Sequence, residues 1–393
     1  MTVYFKNAAF RFMVVLLAIE FLDELVFGAR EAAWPLIRDD LKLTYIQIGL
    51  LLSLPGIISS FVEPLMGILA DQGKRKILVL AGGVVSALAL LLTALSGSFF
   101  ILLLAFILLY PASGAFVSLS QAAFMDSDPA RREKNMARWT FAGSIGVVCG
   151  PLVLGIVNVS GLSWRWAFLA FAFMTVPLIM SARNMGGHFT TSSLSQPGAG
   201  LMGGFTDALR LLRQREVLRW LLLLEFSDLL LDVLLGFLAL YFVDIAGATP
   251  RQASIAVAIW SGAGLVGDFL LIPLLDKVPG LKYLHLSAFL ELLLLPAFLL
   301  APGLNVKLVF LGLLGFFNAG WYAILMANLY AELPGKSGTA LALNNITGLL
   351  GDFLPIGLGW VAQRYNLQVT MWLLLLGPLA LLAGLPNKRR GDQ

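Results

Sequence analysis

Twelve stretches of about twenty mostly apolar residues follow one another along this chain, and that pattern limits the fold more than any other feature. They are Phe12–Trp34, Tyr45–Ala70, Ile77–Ser96, Phe99–Phe124, Arg138–Val159 and Trp164–Ala182, then Val217–Val243, Pro250–Leu275, Tyr283–Ala301, Val306–Glu332, Ser337–Gly359 and Gln368–Pro386. A helix needs about 20 such residues to cross the hydrocarbon core. Only 13% of the residues are charged, against about 25% in a soluble domain. With a mean hydropathy of +0.87 the chain has no polar coat for water, so lipid is its solvent. Backbone groups find no water partner there, and each stretch is therefore predicted to be a helix. The first is too long for a cleavable signal and lacks a small-residue cleavage site, so it is read as span one.

The net charge of +4 does not point to nucleic acid, because the basic residues sit in short loops between spans. With the N-terminus inside, 20 Lys and Arg flank the spans on the inner face and 7 on the outer, which predicts a cytoplasmic-membrane protein with both termini cytoplasmic. A single cysteine, Cys149, excludes an internal disulfide framework and a multi-cysteine metal site. The two histidines, His188 and His285, fall in or beside loops. No metal and no cofactor is called for. One long connection, residues 183–216, reads as a flexible linker followed by an interfacial helix around Phe205–Arg213.

Acidic residues inside the spans repeat. Glu20, Asp23, Glu63 and Asp71 return as Glu225, Asp228, Asp268 and Asp276, each 205 positions on. Phe21, Gln47, Pro129, Gly143 and Gly146 return as Phe226, Gln252, Pro334, Gly348 and Gly351 at the same interval. An ionisable group costs roughly 2.5–3.5 kcal/mol in mid-bilayer and is rare there without a task. The pattern predicts an all-α membrane protein with twelve transmembrane helices in two pseudo-symmetric six-helix bundles, residues 1–182 and 217–393. That architecture belongs to secondary transporters.

Two motifs sharpen this. After span two come Gly67, Asp71, Gln72, Gly73, Lys74, Arg75 and Lys76, an acid at a helix end beside a basic turn. Glycine there would allow close helix contact. Such a cluster can lock two helices in one state and release them in another; a plain stop-transfer turn would look the same. Span five carries Gly143, Gly146, Gly150, Pro151 and Gly155, a small-residue stripe for tight packing with a helix-bending proline. Together these resemble the major facilitator superfamily: the first is similar to its signature between helices two and three, the second to its antiporter signature in helix five. Ser163-Trp164-Arg165-Trp166-Ala167-Phe168, opening span six, also looks familial. The resemblance spans essentially the whole chain, with departures. Gln72 stands where a basic residue usually follows the acid, and Gly73 arrives one position early. Leu154 replaces one glycine of the second motif. Span four has no arginine and offers Tyr110, Ser113 and Gln121 instead. The stretch from Phe21 to Leu51 is also loosely similar to fosmidomycin-resistance-type exporters.

A helix turns about 100° per residue, which puts Glu20, Asp23 and Glu24 on one face of span one and Glu225, Asp228 and Asp232 on one face of span seven. The resemblance implies that helices one, seven, four and ten line a central cavity. Carboxylates sharing a dry cavity cannot all ionise easily, and such groups are natural proton carriers. Glu63 and Asp268 lie deep in spans two and eight. Tyr110, Gln121, Asn318, Trp321, Tyr322, Asn344 and Asn345 could complete the wall, suiting an amphipathic cation through hydrogen bonds and cation–π contact. Glu31 and Asp39 read as structural partners of neighbouring arginines. No basic residue looks clearly buried in mid-span, Arg30 being nearest, so the expected cargo is a small cationic or neutral organic molecule exported as protons enter. Gly67, Asp71, Lys74, Arg75, Gly146, Gly150 and Pro151 are the expected gate. The expected partners are cargo, protons and bilayer, with no nucleic acid, and the chain is expected to be a monomer. Uptake by symport and divalent-metal transport are alternatives. An intramembrane lipid-modifying enzyme is another, but the loops show no nucleophile elbow and no metal-ligand spacing. A receptor or scaffold would not need the doubled acids.

Overall fold

The computed structural model describes residues 2–127, 132–185, 213–275, 277–332, 347–349 and 351–386. Asn344, Asn345, His188, Asp276, Pro129, Pro334 and nearly all of the 183–216 connection lie outside them, as does the side chain of Asp71. The described residues are almost entirely helical. Nine of their helices are long and apolar enough to cross a membrane.

Span one is the helix Thr2–Leu41, span two Tyr45–Leu69, span three Arg75–Leu95. Span four runs Phe99–Ser113, widens into a π turn at Gly114–Ser118, and resumes at Leu119–Ser127. Spans five and six are Arg132–Val159 and Arg165–Asn184. Span seven is likewise interrupted: Arg215–Asp228, a π turn at Leu229–Val233, then Leu234–Asp244. Spans eight and nine are Pro250–Leu275 and Gly280–Leu300. Span ten breaks between Leu304–Phe317 and Trp321–Glu332, where Gly320 takes φ +73°. Leu354–Arg364 belongs to span eleven, and Leu367–Leu373 with Leu376–Gly384 forms span twelve. Single π turns inside helices are rare and cluster at functional sites.

The chain divides into two compact units, Met1–Gln196 with Thr249–Ala258, and Pro197–Ala248 with Ile259–Gln393. The sequence repeat appears in structural detail at the starts of spans two and eight, both within the first unit. Thr44 caps span two: its hydroxyl accepts from the Gln47 amide at 3.2 Å, and the Gln47 side chain accepts from the Thr44 amide at 2.9 Å. Thr249 and Gln252 make the same reciprocal cap on span eight, at 3.3 and 2.8 Å. The Gln47/Gln252 repeat is thus a capping box that satisfies amides with no partner inside the helix.

In the first unit, spans one and five meet backbone to backbone. A methyl group on Gly28 would lie 2.3 Å from the Val147 carbonyl oxygen, one on Gly146 2.5 Å from that of Phe21, and one on Gly150 2.4 Å from the Ala29 nitrogen. The glycine stripe is what permits this approach, and the Pro151 ring lies against Gly28. In the second unit, Gly267 and Gly315 give spans eight and ten a comparable contact. The outward faces carry apolar side chains such as Phe100, Phe269 and Leu300, as a lipid-facing surface should.

Candidate functional site

The first unit holds an open cavity of about 410 Å³. Span one contributes Glu20, Asp23, Glu24, Phe27 and Arg30; span two Glu63; span four Tyr110, Ser113 and Gln121; span five Trp139. The face predicted for span one thus lines a real chamber. Its acids are seated rather than loose. The Ser113 hydroxyl donates to Asp23 at 2.6 Å, and the Ser59 hydroxyl to Glu63 at 2.7 Å. The Trp139 side chain hydrogen-bonds Glu20, which also feels the charges of Asp23 and Glu24. Gly143 lets the Glu20 carboxylate lie against span five, since a methyl group there would stand 2.6 Å from Oε1. Gly114, opening the π turn of span four, does the same for Glu63 at 2.6 Å. The glycines therefore do two things: they bring helices together and they make seats for acids.

Arg30 overturns the expectation that no basic residue is buried in mid-span. It is only 6% exposed and lines the cavity. Its Nε and Nη2 donate to Glu31 Oε1 at 2.9 and 2.6 Å, and its Nη1 donates to the Tyr110 hydroxyl at 2.7 Å. The other Glu31 oxygen accepts from the Trp34 indole at 3.0 Å. The guanidinium also lies 5.0 Å from the Phe27 ring centre and 5.2 Å from that of Tyr110. The physical reason is local: Glu31, the Tyr110 hydroxyl and the rings around the guanidinium give it partners that let it sit inside the bundle. A second buried cation, Lys307, donates to the Tyr241 hydroxyl and to the carbonyls of Phe298 and Leu299. Nearer the chain surface, Arg38 pairs with Asp39 at 2.8 Å, and Arg165 bridges Asp40 and the Ser96 carbonyl.

The second unit reproduces the acid–glycine seating one element at a time. Glu225 lies over Gly351, where a methyl group would be 2.4 Å from Oε2, and it hydrogen-bonds the Thr347 side chain. Asp228 stands within electrostatic reach of Asp232, Glu225 and Asp352. Asp268 accepts the backbone N–H of Gly320 at the break in span ten, as Glu63 rests on the break in span four. Tyr283 donates to the Phe317 and Ala319 carbonyls beside the same break, at 3.3 and 3.0 Å.

Other expected residues are placed differently. Trp321 is fully buried and gives its indole N–H to Ser287 at 2.8 Å, so its ring is packing rather than cavity wall. Asn318 is buried and donates to the Leu230 carbonyl at 3.3 Å, joining span ten to the π turn of span seven. Tyr322 is 47% exposed. A methyl group on Gly67 would meet nothing within 4 Å, so that glycine makes no close helix contact. Lys74 is exposed and Arg75 buried. Gly73, at φ +84°, holds the left-handed turn that ends span two, which accounts for a glycine at that position.

Two residues were missed. Trp139 lies one helical turn before Gly143, and that spacing was a usable signal. Glu291, in span nine, is fully buried with neither carboxylate oxygen hydrogen-bonded, a costly arrangement for a charged group. Its position in an apolar run was the signal, but the residue 205 positions earlier is Ser86, so a search for repeated acids passes over it.

Comparison with known proteins agrees with this architecture. The family model described as Major Facilitator Superfamily matches residues 16–354. The probable sulfoacetate transporter SauU of Cupriavidus necator is 27% identical over 381 residues, covering 89% of this chain and 87% of that protein. The fosmidomycin resistance protein of Escherichia coli is 23% identical over 386 residues, 94% of this chain and 91% of that protein. The crystal structure of a point variant of the nucleoside transporter NupG superposes with a TM-score of 0.79 at 16% identity, over 95% of this chain and 98% of that one, a likeness of fold. A multi-pass, all-helical membrane chain with the twelve-helix, two-domain fold and a family model matched over most of its length is a transporter of small molecules, and it belongs to the Major Facilitator Superfamily.

Proposed function

We propose that this transporter exports a small organic molecule, cationic or neutral in net charge, across the cytoplasmic membrane in exchange for protons, by alternating access. The observation that carries the reading is the recurrence of carboxylates in both units: Glu20, Asp23, Glu24 and Glu63 in one, Glu225, Asp228, Asp232 and Asp268 in the other. Carboxyl groups inside a membrane-spanning bundle can exchange protons with whichever side is open, and a cargo cation competes with those protons for the same charge. Protons entering from outside would neutralise the acids; cargo arriving from inside would displace the protons. The bundles in this reading are residues 1–182 and 217–393, joined by 183–216, with both termini cytoplasmic and a monomer as the working unit. The turn from Asp71 to Arg75 and the contact of Gly146, Gly150 and Pro151 with span one would bias the inward–outward equilibrium. A relative named for drug resistance is consistent with export.

A second reading has its own support. Sulfoacetate, in the name of one relative, is an acid, and Arg30 places a guanidinium in the first-unit cavity. Acidic cargo taken up with protons would use that group.

The test is flux into proteoliposomes under an imposed pH gradient, screened with cationic, neutral and anionic candidates. Asp23→Asn and Asp228→Asn should each lose pH-driven flux while eluting as folded protein. Wild-type flux in both variants would remove the coupling assignment. Flux that tracks an acidic candidate and is driven in the direction of proton entry would favour the second reading.

A further inference from the structure

The first-unit cavity holds both signs of charge along one helix face. Asp23, Phe27 and Arg30 are separated by four and three residues, so they stack on the same side of span one, Asp23 and Arg30 roughly 10 Å apart along the axis. Arg30 has five N–H donors. Three point at Glu31 and Tyr110. One N–H on each terminal nitrogen is left over, on a side chain more than nine-tenths buried that lines the cavity. The side chain is also aimed: Trp34 holds Glu31, Glu31 holds the guanidinium, and the rings of Phe27 and Tyr110 flank it.

From this juxtaposition we infer that the cargo is dipolar, with an oxyanion on the free N–H groups of Arg30, an ammonium among Asp23, Glu20 and Glu24, and an apolar spacer along Phe27. The inference rests on the transporter reading above and names its substrate class. Arg30 and Glu31 cancel each other's charge, so an acid without an amine would face Glu20, Asp23, Glu24 and Glu63 with nothing to offset them. An amine without an acid would leave those two arginine donors to water, without the stronger charge-assisted bond an oxyanion offers. A molecule with both groups satisfies both ends and stays neutral overall. A cavity of about 410 Å³ accommodates one aromatic ring with two short polar arms.

The experiment uses matched triads on one skeleton: para-aminoethylbenzoate, phenethylamine and para-ethylbenzoate, and the corresponding sets with no ring and with two rings between the poles. Binding is read by thermal stabilisation of the purified full chain, transport by pH-driven flux in proteoliposomes. In at least one triad the dipolar member should act at about tenfold lower concentration than either single-pole member, and the Arg30→Gln/Glu31→Gln double variant, which removes both charges together, should abolish that preference while keeping the amine. Arg30→Lys should retain part of it. If amines bind and are transported with no gain from the acid, or if the double variant keeps the preference, the dipolar assignment falls and the transporter reading stands. If no member of any triad binds or moves, both fall.

Discussion

In the first unit Asp23 accepts a hydrogen bond from Ser113 and feels the charge of Arg30, whereas its counterpart Asp228 in the second unit feels Asp232, Glu225 and Asp352. One set of acids has a cation within reach, itself paired with Glu31, beside the like charges of Glu20, Asp23 and Glu24. The other is a gathering of like charges, and the buried Lys307 of the same unit is engaged elsewhere, on carbonyls at the end of span nine. The repeat preserved the carboxylates and let their surroundings diverge. A site holding both signs of charge suits a ligand with its own charges, and a site of acids alone suits protons, which relieve the repulsion without adding bulk. If the proposed coupling holds, cargo recognition should fall more heavily on Asp23 and proton exchange on Asp228.

The largest effect should come from breaking the pair of Arg30 and Glu31. Arg30→Gln alone strands Glu31 in a buried site, and losing one member of a buried pair costs about 3–5 kcal/mol. Thermal unfolding in detergent should show a clear loss, and Arg30→Gln/Glu31→Gln should recover most of it. Equal stability of the single variant and the wild type would mean the pair is not what holds that end of span one. Next in size is the functional split. Asp228→Asn should lower pH-driven flux by about 100-fold yet change cargo affinity less than about threefold, while Asp23→Asn should lose both. The same phenotype from both variants would erase the proposed difference between the halves.

A smaller effect separates the two glycine stripes. Gly146→Ala forces a methyl group to 2.5 Å from the Phe21 carbonyl and should cost about 1–3 kcal/mol, because backbone cannot move aside. Gly348→Ala, at the position that repeats Gly143, meets nothing within 4 Å among the described residues and should be nearly neutral. Melting temperatures of the two variants measured side by side would settle whether the stripe carries equal weight in both units.

What was readable in the chain follows the same division. Acids in a bilayer announce themselves by their cost, so Glu20, Asp23 and Glu24 could be placed on one cavity-lining face from spacing alone. The burial of the cation beside them could not, because it depends on partners the sequence does not bring together, among them Tyr110 eighty residues away on span four. Repetition worked as a filter for residues that both halves kept, including the Gln47/Gln252 pair, and failed for Glu291, whose counterpart is Ser86. Trp321 looked like a wall residue because aromatic rings often are; only packing shows that its indole is committed to Ser287.

The smallest expected effect is also the most symmetric. Thr44 and Thr249 make the same reciprocal cap at the start of spans two and eight, with hydroxyl–amide distances of 3.2 and 3.3 Å. Both caps lie in exposed hydrogen bonds, so neither gains from a dry environment that the other lacks. Removing such a cap typically costs about 1 kcal/mol. Thr44→Ala and Thr249→Ala should therefore destabilise by the same amount, and the double variant by the sum, since the sites share no partner. A clear inequality would show that one helix start is strained or supported by its surroundings, and would place the divergence of the halves beyond their acids.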